Sequence, residues 1–202
     1  MQRIENKILV IGASPRKNGN SDLLMKAASE GIASQQDVPC ETVYLRDYQY
    51  QPCLGCEQCR KDKICTRLND GMTLLYPKVE AARGLLLASP VHHYNVTSWM
   101  KAFIDRLYCY YDFKDTRPRA WSSRLAGQGR KGAVIGVCEQ VAEKDMGFVI
   151  EAMQLPMEAW GYEIVSTQRV YGVFGRGEVR KQQQALDDGY TLGRKLALAV
   201  RE

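Results

Sequence analysis

Histidine is scarce in this chain: His92 and His93 are the only two among 202 residues. Neighbours in sequence turn their side chains different ways, so the pair is not expected to share a metal. Long apolar runs are missing too. The stretch Ile8-Leu9-Val10-Ile11 is too short for the core of a secretory signal and ends in glycine, as a buried strand does. Nothing approaches membrane-spanning length, so no membrane partner is expected. No G-x-S-x-G elbow is present, which argues against a serine hydrolase. Neither a Gly-Lys-Ser/Thr ending nor a G-x-G-x-x-G dinucleotide fingerprint occurs. Low-complexity tracts and internal repeats are absent, which leaves a globular chain long enough to bury a sizeable core. A net charge of +5 suits phosphorylated cofactors or an acidic partner but does not mark a nucleic-acid binder.

Cysteine, by contrast, is plentiful and clustered. Of seven, four fall within thirteen residues as C-x2-C-x2-C-x5-C: Cys53, Cys56, Cys59 and Cys65. The odd total and the absence of a secretory signal predict reduced thiols in a cytoplasmic protein, or metal ligands, rather than a disulfide framework. The first three approach the compact run that holds iron–sulfur clusters, although the last spacing is longer than in ferredoxins. Gly55 lets the backbone bend there without a Cβ clash. Zinc is the rival, since four thiolates satisfy its tetrahedral preference, but its frameworks usually hold two separated C-x2-C pairs. Cys40, Cys109 and Cys138 read as small core residues, with Cys138 placed to approach a cofactor.

Buried strands are expected at Lys7–Gly12, Glu41–Leu45, Gly84–Ser89, Gly132–Val137 and Tyr162–Val170. Helices are expected from Asn20 or Ser21 as N-cap, from Gly71 to Ala82, Ser98 to Tyr108, Lys144 to Ala159 and Val179 to Val200. Pro156 should kink or shorten the fourth. Strands alternating with helices predict an α/β, doubly wound five-stranded parallel sheet, a three-layer sandwich. One domain over 1–202 is expected, with a cysteine-rich insert at about 47–70. The segment Lys114–Lys131, with Arg117, Arg119, Arg124 and Arg130, reads as a long irregular stretch, either a solvated loop or a docking patch.

Two loops carry the chemistry. Gly12-Ala13-Ser14-Pro15-Arg16-Lys17-Asn18-Gly19-Asn20-Ser21 joins the first strand to the first helix, where backbone N–H groups and the positive helix end meet. Ser14, Asn20 and Ser21 add neutral donors and Arg16 a planar cation. Such a monophosphate cradle suits FMN better than ATP. Ser89-Pro90-Val91-His92-His93-Tyr94-Asn95-Val96-Thr97 follows the third strand, across the switch point of such a sheet. There Pro90 fixes the turn and Tyr94 offers a face to a flat ring.

These two motifs, with C-L-G-C-E-Q-C-R-K-D-K-I-C between them and S-W-M-K-A-F-I-D-R after them, resemble the iron–sulfur flavoproteins and the NADPH-dependent FMN reductase-like proteins. The resemblance runs from about Lys7 to Arg106 and implies a flavodoxin-like fold. It implies that Ser14, Arg16, Asn18, Asn20 and Ser21 surround the FMN phosphate. Pro90, Val91, His92, Tyr94 and Asn95 would line the isoalloxazine, and Cys53, Cys56, Cys59 and Cys65 would ligate a [4Fe–4S] cluster. The chain departs from the pattern at His92-His93, where one tyrosine is common, and at Leu68–Met72. An FMN-dependent oxidoreductase is implied, using NAD(P)H or ferredoxin, a small-molecule acceptor, and a homodimer or homotetramer. The chemistry demands no side-chain acid or base, so no catalytic residue is nominated. A cluster-free reductase and a zinc-bearing or thiol redox-sensing module are the competing expectations.

Overall fold

The computed structural model describes residues 3–202. β1 (Glu5–Gly12), β2 (Cys40–Tyr44), β3 (Ala82–Pro90), β6 (Lys131–Val137) and β7 (Glu163–Val170) form one parallel sheet in the order β2-β1-β3-β6-β7. This is the flavodoxin-like order, and β1 and β3 flank its switch point. The five expected strands are all present, each within a few residues of its expected bounds.

Ile8 to Ile11 are fully buried because each face of β1 meets its own core. Leu9, Ile11, Leu85, Leu87 and Val134 point to the side covered by α3 (Met72–Ala81), α4 (Ser98–Arg106) and α5 (Val149–Trp160). Ile8, Val10, Leu86, Ala133 and Ile135 point to the side of α1 (Asn20–Ala33) and α6 (Gln183–Arg201). Alternation along each strand therefore feeds two cores, the condition for a continuous apolar run. α1 and α6 pack backbone to backbone: a Cβ on Gly193 would lie 1.9 Å from the Ala28 carbonyl oxygen. Among the described residues no helix is long and apolar enough to cross a membrane.

Several local expectations are corrected. The segment Lys114–Lys131 is not irregular throughout, because Trp121–Ser123 (β5) pairs antiparallel with Tyr111–Phe113 (β4). Two of its arginines face inward. Arg130 is 1% exposed and donates to the carbonyls of Val79, Glu80 and Ala82, while Arg124 donates to those of Lys63 and Cys109. These guanidiniums serve buried carbonyls that need donors, so any basic patch here is smaller than the composition suggests. Gly19, not Asn20 or Ser21, occupies the N-cap of α1 and provides no side-chain bond. α5 starts five residues later than expected, after a single 3₁₀ turn at Glu143–Met146, and continues through Pro156 to Trp160. Cys40 is exposed on the edge strand rather than in the core.

Candidate functional site: a cleft at the switch point and a cysteine-lined cavity

β1 delivers its loop to the carboxyl edge of the sheet, and the register sets Gly12 beside Ala88 of β3. The two loops are then tied together. The Thr97 hydroxyl donates to the Ala13 carbonyl at 3.0 Å, the Thr97 amide donates to Ser89 Oγ at 3.2 Å, and Thr97 Oγ1 caps α4 by accepting from the Met100 amide. Thr97 and Ser89 are buried, so these bonds are sheltered from competing water. Neither was among the expected site residues. A threonine three residues before Met100, at the start of an apolar helical pattern, was the available signal.

Between the loops lies a cleft of about 200 Å³ bordered by Ser14, Pro15, Arg16, Asn20, Ser21, Pro90, Val91 and His92. Seven of the ten expected flavin-site residues are among these eight, Pro15 being the addition. Asn18 lies outside, at φ 56° on the loop's outer bend. Tyr94 is 60% exposed and Asn95 spends Oδ1 on the Val96 amide; neither borders the cleft. Val173, Phe174 and Arg176 close the other wall together with Val137 and Glu139. Val173, Phe174 and Arg176 come from the β7–α6 connection, whose approach to α1 cannot be read from local patterns.

Asn20 makes that wall. Its Nδ2 donates to the carbonyls of Val173 (3.2 Å) and Gly175 (3.0 Å), and its Oδ1 accepts from the Val179 amide (3.1 Å). Both amide hydrogens are spent on the protein, so Asn20 shapes the cleft instead of donating into it. Arg16 donates to the Phe174 carbonyl and lies 5.8 Å from that residue's ring centroid, which leaves donors of its fork free. The backbone amides of Asn20, Ser21 and Asp22 find no acceptor among the described residues, as expected at a helix start. Desolvation first, then His93 and Arg16, lowers the pKa of His92 and favours its neutral form.

The cysteine segment, in which Cys59–Asp62 form the short helix α2, borders a second, larger cavity of about 620 Å³. Cys53, Cys56, Cys59 and Cys65 all line it, with Ile104, Arg106, Tyr108 and Trp160 among the facing walls. Burial, then the charges of Cys65, Cys53 and Cys56, raises the Cys59 thiol. Cys109 is buried and pushed up to about 12, by desolvation first and then by Cys59, so it stays a neutral thiol. Cys138 is buried, and its Sγ donates to the Asp145 carbonyl; it does not border the cleft. Among the described residues no group of three or more His, Cys, Asp or Glu is drawn close enough to hold a single metal ion. The four thiols fit a soft polynuclear centre by donor type and by sharing one cavity.

Both ends of the segment are clamped. The Gly71 amide donates to the Gln49 carbonyl at 2.8 Å, and Asp70 accepts from the amides of Gln51 and Met72. Arg106, 2% exposed, grips Asp70 through both Nη atoms and donates to the Gln51 carbonyl. Farther out, Arg60 donates to Tyr108 Oη and stacks 4.7 Å from the Phe113 ring centroid, while Lys63 pairs with Asp112. The β4–β5 ribbon is therefore a buttress for the cysteine segment.

Residues 6–150 match the NADPH-dependent FMN reductase family. The chain belongs to that family. An iron–sulfur flavoprotein of Archaeoglobus fulgidus is 31% identical over 193 residues, which cover 96% of this chain and 80% of that protein. An iron–sulfur flavoprotein of Methanocaldococcus jannaschii is 34% identical over 100 residues, spanning half of this chain and 51% of that relative. Among solved structures, a NAD(P)H:quinone oxidoreductase from Methanothermobacter marburgensis superposes with a TM-score of 0.72 at 17% identity, over 94% of this chain and 98% of that one. A flavodoxin from the domain Archaea gives 0.59 at 16% identity, over 97% and 99%. At such identities these two likenesses speak for the family's fold alone.

Proposed function

We propose that this protein is an FMN-dependent oxidoreductase that moves electrons between NAD(P)H or a ferredoxin-like carrier and a small acceptor such as a flavin or quinone. The observation that carries this reading is the cleft at the switch point, where a hydroxyl- and amide-rich loop after β1 faces the Pro90–His92 loop after β3. FMN bound there supplies the redox chemistry. Ser14, Arg16, Ser21 and the free amides of α1 hold its phosphate, Asn18 shapes the loop's outer bend, and Asn20 holds the far wall. Pro90, Val91 and His92 border the ring, with Tyr94 and Asn95 at the outer edge. The protein acts in the cytoplasm as a homodimer or homotetramer.

The cysteine cavity holds a [4Fe–4S] cluster that relays single electrons, with Cys53, Cys56, Cys59 and Cys65 as ligands. Two observations support this: all four thiols border one cavity, and relatives aligned with this chain are named iron–sulfur flavoproteins. Zinc fits less well. A Zn–S bond of about 2.3 Å requires sulfurs about 3.8 Å apart, and the thiols do not converge on a single-ion site. That same lack of convergence favours the second reading, a cluster-free NAD(P)H-dependent flavin or quinone reductase built on the same cleft.

Anaerobic purification tests both levels. The expected protein is yellow-brown, releases FMN on denaturation, and contains iron and acid-labile sulfide. Pure protein that takes up no FMN would falsify the main reading. FMN without iron, after iron-replete anaerobic expression, selects the cluster-free reading. Oxidation of NADH and NADPH, with and without added ferredoxin, then separates the two donor schemes.

A further inference from the structure

The phosphate loop is held from beneath by a buried ion pair whose members do not border the cleft. Arg46 grips Asp22 in a fork, Nη1 to Oδ1 at 2.9 Å and Nη2 to Oδ2 at 2.8 Å, with side chains 9% and 6% exposed. The same Nη1 donates to the Ser14 carbonyl at 3.0 Å, and Asp22 Oδ2 also accepts from the Asn18 amide at 2.8 Å. One ion pair thus fixes both shoulders of the bend from Ser14 to Asn18. The Arg46 guanidinium lies 4.2 Å from the Tyr44 ring centroid, which fixes its plane.

Asp22 belongs to the first turn of α1, so the clamp also sets where the unbonded amides of Asn20, Ser21 and Asp22 point. Charge leads to the same role. A carboxylate in that turn favours the helix N-terminus but repels an anion bound there. Arg46 cancels the repulsion while leaving the carboxylate free to orient the loop.

We infer that Arg46 and Asp22 are positioning residues for the 5′-phosphate of the flavin cofactor, acting through the loop between Ser14 and Asn18. This rests on the FMN reading above. It differs from a purely structural role in one measurable way: the clamp matters only to a ligand that carries the phosphate.

Flavin-stripped protein is titrated with FMN and with riboflavin, following quenching of flavin fluorescence. In Arg46→Gln the FMN Kd rises roughly 10- to 100-fold, the range for losing charge-assisted hydrogen bonds, while the riboflavin Kd moves by less than about threefold. Arg46→Lys keeps the charge without the fork and recovers only part of the FMN affinity. Should Arg46→Gln fold poorly, the double variant Asp22→Ala/Arg46→Met leaves no unpaired buried charge and shows the same FMN-selective loss. Equal weakening of both flavins reduces the clamp to packing and overturns the inference, as does unchanged FMN affinity in the folded double variant. Wild-type protein that binds neither flavin overturns the FMN reading and the inference with it.

Discussion

Arg106 is a cation in an apolar place, and its surroundings show what keeps it there. Burial opposes its charge, but the fork to Asp70 and the contact with Tyr76 more than offset that, raising its pKa. Burial likewise opposes the Asp70 carboxylate, yet Arg106 and the amides of Gln51 and Met72 hold it below the usual range. The two shifts run in opposite directions, the cation up and the carboxylate down, as they must for a pair stabilised in its charged form. Replacing one member strands the other, so Arg106→Met is expected to cost about 3–5 kcal/mol by urea denaturation at pH 7. The pH dependence has a definite sign. A depressed folded pKa contributes stability that is complete above the unfolded value of about 3.9 and is lost as pH falls through the folded one. The gap between wild type and Asp70→Asn therefore narrows as the pH is lowered from 5 towards 2; a gap constant over that window refutes the pair's role. The sequence places Arg106 at the end of an expected helix but does not reveal its partner 36 residues earlier.

At the scale of elements, the turn after β3 sits in strained backbone on a neighbour built to receive it. His93 and Tyr94 both have positive φ (49° and 62°), while His92 and Asn95 exchange two backbone bonds around them. Non-glycine residues in such a turn cost of order 1 kcal/mol each. The cost is met where Phe148 donates its amide to the Tyr94 carbonyl at 2.8 Å. Just before it, Gly147 (φ 56°) leaves no room for a side chain: a Cβ would lie 2.1 Å from the same oxygen. Gly147→Ala is expected to destabilise the protein by about 1–3 kcal/mol through backbone strain and displacement of the turn. It should also shift the visible spectrum of bound FMN more than its phosphate-dependent affinity. An unchanged spectrum with a normal melting temperature would exclude this packing from the flavin site. The loop after β3 was legible, but its positive-φ pair and its seat were not, because the contact joins loops after β3 and β6. β1, β3 and β6 were legible because burial on both faces leaves continuous apolar runs, whereas the edge strands β2 and β7 are only partly buried and carry a weaker signal. β4 and β5, three residues each with polar members, carry no such signature. For the same reason the inward turn of Arg124 and Arg130 stayed hidden behind a basic composition.

For the whole molecule, the question is how two sites share one chain without depending on each other to fold. α4 joins them: its N-cap Thr97 is tied to the loop after β1, and Arg106 at its last turn faces the cysteine cavity. Nine residues at about 1.5 Å each put the two ends only about 13.5 Å apart. The cores, however, lie with the sheet and its helices. From Gln51 to Asp70 no residue is fully buried, and the segment is held at its base by hydrogen bonds and at its far side by the β4–β5 buttress. Replacing Cys53, Cys56, Cys59 and Cys65 together with serine therefore removes little apolar burial. The expected cost is under about 1 kcal/mol in cluster-free protein, the scale of exposed substitutions away from the core. FMN affinity should change by less than about threefold, since the clamp under the phosphate loop is untouched. On the proposed cluster reading, iron and sulfide should vanish, and ferredoxin-linked turnover with them, while any direct NAD(P)H oxidation persists. Thermal unfolding, flavin titration and metal assay of the one variant read out all three. If FMN binding collapses with the cysteines, the segment is part of the flavin site rather than an electron relay attached to a self-sufficient fold.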